Sequence, residues 1–174
     1  MTRPQSNFNP DAALHGEMFE EWDWSQLTEF KIALVEPSKV NAQLLANEIR
    51  RQPAIAKASW DITLLHLVAG EGYLDLVTLL LDLGADVNAY CPEGIPLHYA
   101  VHSDSLDVVK TLVVAGSELN RQDCRRSTPL DLAYNPARDY VIVKYLVTIG
   151  AIPNKEVTVD GIRNMKQMGL WDQV

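Results

Sequence analysis

Cysteine is almost missing from this chain: among 174 residues there are two, Cys91 and Cys124. Two thiols give no disulfide framework. Long apolar runs are missing as well, none approaching the roughly 20 residues that a membrane span needs. The opening MTRPQSNFNPDAALHG lacks the basic-then-apolar order of a secretory signal, so a cytoplasmic protein without a membrane role is expected. Basic residues are in deficit, 15 Lys and Arg against 23 Asp and Glu for a net charge of −8. That excess argues against nucleic acid, because binding phosphate depends on basic groups that displace counterions. Catalytic signatures are absent too: there is no G-x-S-x-G elbow, phosphate-cradling glycine loop, C-x-x-C or H-E-x-x-H. The glycines are expected to serve turns.

The chain does have a pattern that returns. Thr63-Leu64-Leu65-His66-Leu67-Val68 recurs as Ile95-Pro96-Leu97-His98-Tyr99-Ala100 and as Thr128-Pro129-Leu130-Asp131-Leu132-Ala133, at offsets of 32 and then 33 residues. Gly84-Ala85-Asp86-Val87-Asn88 is answered by Gly116-Ser117-Glu118-Leu119-Asn120 and Gly150-Ala151-Ile152-Pro153-Asn154. Between these markers, Asp75, Thr78 and Asp82 stand three and four residues apart in an otherwise apolar stretch, which predicts a helix with one polar stripe. Asp107 and Lys110, then Lys144 and Thr148, continue that stripe in the later copies. Thr-Pro suits a helix start, where the hydroxyl can accept from an orphan N–H and proline forfeits no bond. Gly84, Gly116 and Gly150 suit the left-handed helix exit. One such helical hairpin would leave much of its apolar surface wet, so the copies must stack.

A period near 33 carrying T-P-L-H-x-A resembles the ankyrin-repeat family, over residues 60–154. The resemblance implies an all-α solenoid of helix-turn-helix units joined by hairpin-like fingers, with degenerate terminal repeats. Packed helices stand about 8–10 Å apart, and stacked repeats should step by a similar distance. That exceeds the roughly 4.4–6.8 Å between disulfide-bonded Cα atoms, so Cys91 and Cys124, at nearly equivalent places in successive copies, should remain thiols.

Residues 1–10 are expected to be flexible and 11–174 to form one repeat domain: an N-terminal helix and degenerate first repeat at 11–59, three recognisable repeats at 60–154 and a C-terminal cap at 155–174. Within the first part, 26–51 reads as a helical hairpin broken at Glu36-Pro37, with Ser38 capping its second helix. The connection from Val87 to His98 is one residue shorter than that from Leu119 to Asp131, which predicts a tighter first finger. Asn135-Pro136-Ala137-Arg138-Asp139 replaces a glycine-containing turn. In the cap, a short helix is expected near Asp160 to Met168, with Ile162 and Met165 on one side and Trp171 over the end of the core.

His66 and His98 could be drawn as metal ligands or a proton-transfer pair, but no further ligands converge on them at a useful spacing. The resemblance implies a structural role, the ring bonding to backbone in the neighbouring turn. No metal, cofactor or catalytic residue is expected. Asn88 lies in LLDLGADVNA, similar to the ankyrin segment that asparaginyl hydroxylases modify. Its amide is expected to fasten the turn through local backbone bonds. Asp104 and Asp107 fall at a helix start, where the dipole favours negative charge.

What remains is surface. The resemblance implies a concave face of finger tips and first helices that binds another protein. The matching positions are Trp60, Ile62, Gly70, Glu71 and Tyr90; Pro92, Glu93, His102, Ser103 and Gln122; and Cys124, Arg125, Ser127 and Asn135. Trp60, Tyr90 and Arg125 are the expected anchors, being of the residue types that dominate interfaces. The expected molecule is a non-enzymatic binding module, monomeric on its own, acting by occlusion or tethering. One version is an inhibitor or immunity-type protein whose acidic surface covers a basic partner. The alternatives are a metal-dependent or hydrolytic enzyme using the repeat histidines, and an architectural domain that self-associates through its ends.

Overall fold

The computed structural model describes residues 39–51, 53–57, 62–134 and 140–167. The helices are α1 (Lys39–Arg51), α2 (Leu64–Gly70), α3 (Leu74–Asp82), α4 (Pro96–Ala100), α5 (Leu106–Val114), α6 (Pro129–Ala133), α7 (Val141–Thr148) and α8 (Glu156–Gln167), with a 3₁₀ turn at Pro53–Lys57. Each short helix α2, α4 and α6 packs against the longer one that follows it, and the short helices form one layer, α2 on α4 on α6. The longer helices form a second layer, α3 on α5 on α7, with α1 lying against α3.

The core repeats because the burial pattern repeats. Leu76, Val77 and Leu80 of α3, Val108, Val109 and Leu112 of α5, and Ile142, Val143 and Leu146 of α7 are buried at the same i, i+1, i+4 spacing. Leu45, Ala46 and Ile49 give α1 that spacing too, so α1 occupies the place of a second helix although no T-P-L-H segment precedes it. Each fully buried leucine of this kind stabilises the fold by roughly 1.5–3 kcal/mol. The other expected half of the 26–51 hairpin, the cap residue Ser38 and the turn at 135–139 lie outside the described residues.

Asp75, Thr78 and Asp82 are exposed on α3, as Asp107 and Lys110 are on α5. Each of the second helices ends as the glycines predict. The N–H groups of Ala85, Ser117 and Ala151 reach back to the carbonyls of Leu80, Leu112 and Leu146 at 2.9–3.0 Å. The glycine before each has φ of 82°, 96° and 95°, a conformation that a side chain resists.

Two expectations need correction at the C-terminal end. Helix α8 starts at Glu156 rather than near Asp160, because the Asp131 carboxylate meets the backbone N–H groups of Asn154 and Lys155 just ahead of it. Gly161 serves no turn: it is buried in the interior of α8, where a Cβ would run into the Tyr134 ring. Ile162 is buried on this helix, whereas Trp171 lies outside the described residues.

Candidate protein-binding surface

The fingers are built from short backbone ladders. In the first, Cys91 N–H donates to Gly94 O at 3.0 Å and Gly94 N–H returns to Cys91 O at 2.9 Å. The tip takes its shape from Gly94, whose φ of 114° and close approach to the His98 ring leave no room for a Cβ. In the second finger the corresponding ladder bond runs from Asp123 N–H to Ser127 O at 3.0 Å, one residue wider, and Arg126 takes up the extra length at φ 61°. The shorter first connection therefore does give the tighter tip. Asp123 braces the second tip from inside, its Oδ1 accepting from Arg125 N–H at 2.9 Å and Ser127 N–H at 2.7 Å. A further bond, Cys124 N–H to Pro92 O at 2.8 Å, ties the two tips together.

The histidines hold each finger to the helices beneath it. His66 and His98 are buried, and each sits at the third position of its short helix. His98 Nδ1 accepts from Ile95 N–H at 3.1 Å, so the proton is on Nε2, which donates to Ser127 O at 3.2 Å. His66 does the same, Nδ1 taking Thr63 N–H at 3.2 Å and Nε2 reaching Gly94 O at 3.2 Å. Burial holds both imidazoles below their usual basicity, against a smaller opposite pull from the Gly94 and Ser127 carbonyls respectively. With both ring nitrogens engaged by backbone, neither ring offers a lone pair to a metal or a substrate. Among the described residues, no group of three or more His, Cys, Asp and Glu could hold a metal ion.

Asparagines make a second set of ties. Asn88 Nδ2 donates to Gly116 O at 3.1 Å and Asn88 Oδ1 accepts from Glu118 N–H at 2.8 Å. Asn120 Oδ1 accepts from Ile152 N–H at 2.8 Å, one unit further on. The expected local role of the Asn88 amide is thus corrected. The local bond in that turn is made by Asp86, whose Oδ1 accepts Asn88 N–H at 2.9 Å, leaving the amide free to cross to the next unit.

The family model described as "Ankyrin repeats (3 copies)" matches residues 40–123 and 65–157. The chain belongs to the ankyrin-repeat family. It is 37% identical over 89 residues to the rice protein "Probable E3 ubiquitin-protein ligase XBOS33" (Oryza sativa subsp. japonica), a match covering 48% of this chain and 16% of that one. It is 37% identical over 71 residues to mouse (Mus musculus) "Ankyrin repeat and SOCS box protein 11", covering 41% of this chain and 22% of the relative. The chain spans less than a quarter of the length of either relative. The ankyrin repeats make this chain a protein–protein interaction module, in a family that is generally non-catalytic. Among the described residues no helix is long and apolar enough to cross a membrane.

The ankyrin fingers expose several of the residues that the sequence singled out. Tyr90, 48% exposed, Pro92 and Glu93 stand on the first finger, and Gln122, Cys124 and Arg125 are exposed on the second. Glu71 and His102 are exposed just past the ends of α2 and α4, while Ile62 and Gly70 are half-buried. Ser103 is also half-buried and serves its own turn, donating to Ala100 O at 2.8 Å and accepting from Ser105 N–H at 3.3 Å. Ser127 is buried, because its backbone is the partner of both Asp123 and His98. It is a finger strut, correcting the expectation that it faces a partner. Trp60 and Asn135 lie outside the described residues.

One surface residue was missed. The Arg121 guanidinium lies over the Tyr90 ring, 4.8 Å from its centre, and reaches Glu118 Oε2 at 3.4 Å. Its aromatic neighbour stands 31 positions earlier, in a different finger, so adjacency in the sequence gives no sign of the pair.

Proposed function

We propose that this chain binds a partner protein through its finger side, with Tyr90, Pro92, Glu93, Gln122, Cys124 and Arg125 among the contacting residues, and acts by occluding or tethering that partner. The observation that carries the reading is the bracing of the tips. The backbone of both fingers is held by ladder bonds, by Asp123 and by the Cys124–Pro92 tie, while the side chains named above project into solvent. A rigid backbone carrying an exposed tyrosine and arginine loses little conformational freedom on binding, which is where affinity is otherwise spent.

Affinity capture from native extract tests the proposal, comparing the wild-type chain with a Tyr90→Ala, Glu93→Ala, Arg125→Ala variant of unchanged circular dichroism and melting temperature. A protein held by the wild type and lost from the variant supports it. A protein held equally by both moves the binding surface elsewhere on the molecule. Self-association through the ends would instead appear as a concentration-dependent mass that the triple variant leaves unaltered.

A further inference from the structure

The net charge of −8 points to a basic partner, but charge at a contact is screened over about 8 Å at physiological salt, so local groups decide. The exposed carboxylates Asp75, Asp82 and Asp107 lie on the second-helix layer. The tip of the second finger instead exposes Arg125 and Arg126. Among the described residues neither has a carboxylate within ion-pairing distance. Their backbone is fixed from several directions: Asp123 accepts Arg125 N–H, Lys155 Nζ donates to Arg125 O at 2.8 Å, and Asn154 Nδ2 donates to Arg126 O at 2.7 Å. Arg126 keeps φ 61°, a left-handed conformation that disfavours every residue with a Cβ. Among the described residues, this acid-rich chain thus exposes two guanidinium groups with no carboxylate at ion-pairing distance, on a hydrogen-bonded loop in the same finger as Arg121.

We propose that the partner's docking segment is acidic: a short run of Asp or Glu whose carboxylates are taken by Arg125 and Arg126, flanked by an apolar side chain that packs on Tyr90. The inference rests on the finger-side reading above. Guanidinium groups suit carboxylates because they donate in a planar fork, two parallel bonds at a time. A nucleic-acid backbone fits less well, since Glu93 on the first finger and Glu118 beside Arg121 are also exposed. A strand of phosphates running along the fingers would meet both, whereas a short acidic run need meet only the tip.

The test is selection of a phage-displayed random dodecapeptide library on the full chain, with enriched peptides then measured by fluorescence anisotropy. The variants are Tyr90→Ala and the double substitution Arg125→Gln with Arg126→Gly, the glycine being compatible with φ 61° so that the loop keeps its shape. Enriched peptides should be net negative, bind about tenfold more weakly to the double variant and weaken further as salt rises. Neutral or basic peptides that depend on Tyr90 would overturn the acidic assignment and leave the finger-side reading standing. Peptides indifferent to both variants would overturn both. A single-stranded oligothymidylate held as tightly as the peptides, and lost from the double variant, would replace the acidic protein segment by nucleic acid. A selection that enriches nothing also overturns the proposal.

Discussion

Asp131 accepts the backbone N–H of Lys155 at 3.0 Å across 24 positions of sequence, where the equivalent residues His66 and His98 donate to a carbonyl of the following unit. The third copy has therefore reversed the polarity of the link. The same carboxylate accepts Thr128 N–H and Oγ1–H, both at 2.9 Å, at the start of its own helix. It also accepts Asn154 N–H and so places a negative charge just ahead of α8, where the helix dipole favours one.

Restoring the repeat signature here should hurt. Asp131→His would aim a ring donor at the N–H groups of Asn154 and Lys155, and should cost about 1–2 kcal/mol in urea unfolding. Asp131→Asn keeps one acceptor oxygen and should cost less. A histidine variant as stable as the wild type would show that the reversed link carries no weight.

Stability should fall with acid in two steps. Burial lowers the basicity of His66 and His98, so the folded state binds fewer protons than the unfolded one, and their contribution is full above about pH 6.5 and fades below it. Burial by itself would raise the Asp131 pKa, but the bonds from Thr128, Lys155 and Asn154 outweigh it and leave it below the ordinary value. Its contribution is present above about pH 4 and is lost below that. Imidazole chemical shifts followed through an NMR titration check the first step: a midpoint at or above the free-imidazole value contradicts it.

Two glycine substitutions should separate space from backbone conformation. Gly94→Ala meets both φ 114° and the His98 ring, whereas Gly116→Ala meets φ 96° with nothing within 4 Å of the new methyl group. The second should cost about 1–2 kcal/mol, the first at least about 1 kcal/mol more as the ring gives way. Thermal or urea unfolding of the two variants decides, and equal losses would remove the ring contact from the account.

Gly161→Ala runs against helix propensity. In an exposed helix interior that change stabilises by about 1 kcal/mol; here it should destabilise, because the Tyr134 ring occupies the site. Adding Tyr134→Ala should return the expected gain, and a double-mutant cycle with no coupling would show that the two residues do not share the space.

Arg126→Gly should act in the opposite sense on folding and binding. Relief of a left-handed arginine should raise stability by about 1 kcal/mol, while loss of the charge should weaken acidic ligands. A melting temperature that drops instead would show that the Arg126 side chain supports the loop.

The regular part of this architecture was legible because it is periodic. Spacing alone predicted the polar stripe of α3, the helix exits at the three glycines, and the difference in width between the fingers. The family resemblance added the structural role of the histidines. What could not be read depends on pairs of groups from different units. Nothing in Asn88 says that its amide crosses to Gly116 and Glu118. Nothing in Tyr90 says that Arg121 will cover its face. The start of α8 was placed late because its anion, Asp131, comes from a helix more than twenty residues earlier. On the surface, the sequence named exposed residues such as Glu93 and Arg125 together with Ser103 and Ser127, whose bonds turn inward, since a serine in a loop reads alike in either role.

The ties between units are short in sequence: His66 to Gly94 spans 28 residues, His98 to Ser127 spans 29, Asn120 to Ile152 spans 32 and Asp131 to Asn154 spans 23. A molecule fastened rung by rung in this way should respond to stretching as a zipper does, parting from one end and releasing a unit at a time, with the force at each release set by the bonds between two neighbours. The reversed rung at Asp131, whose bonds weaken once its carboxylate takes a proton, would then be the step whose yielding force depends on acidity far below neutrality.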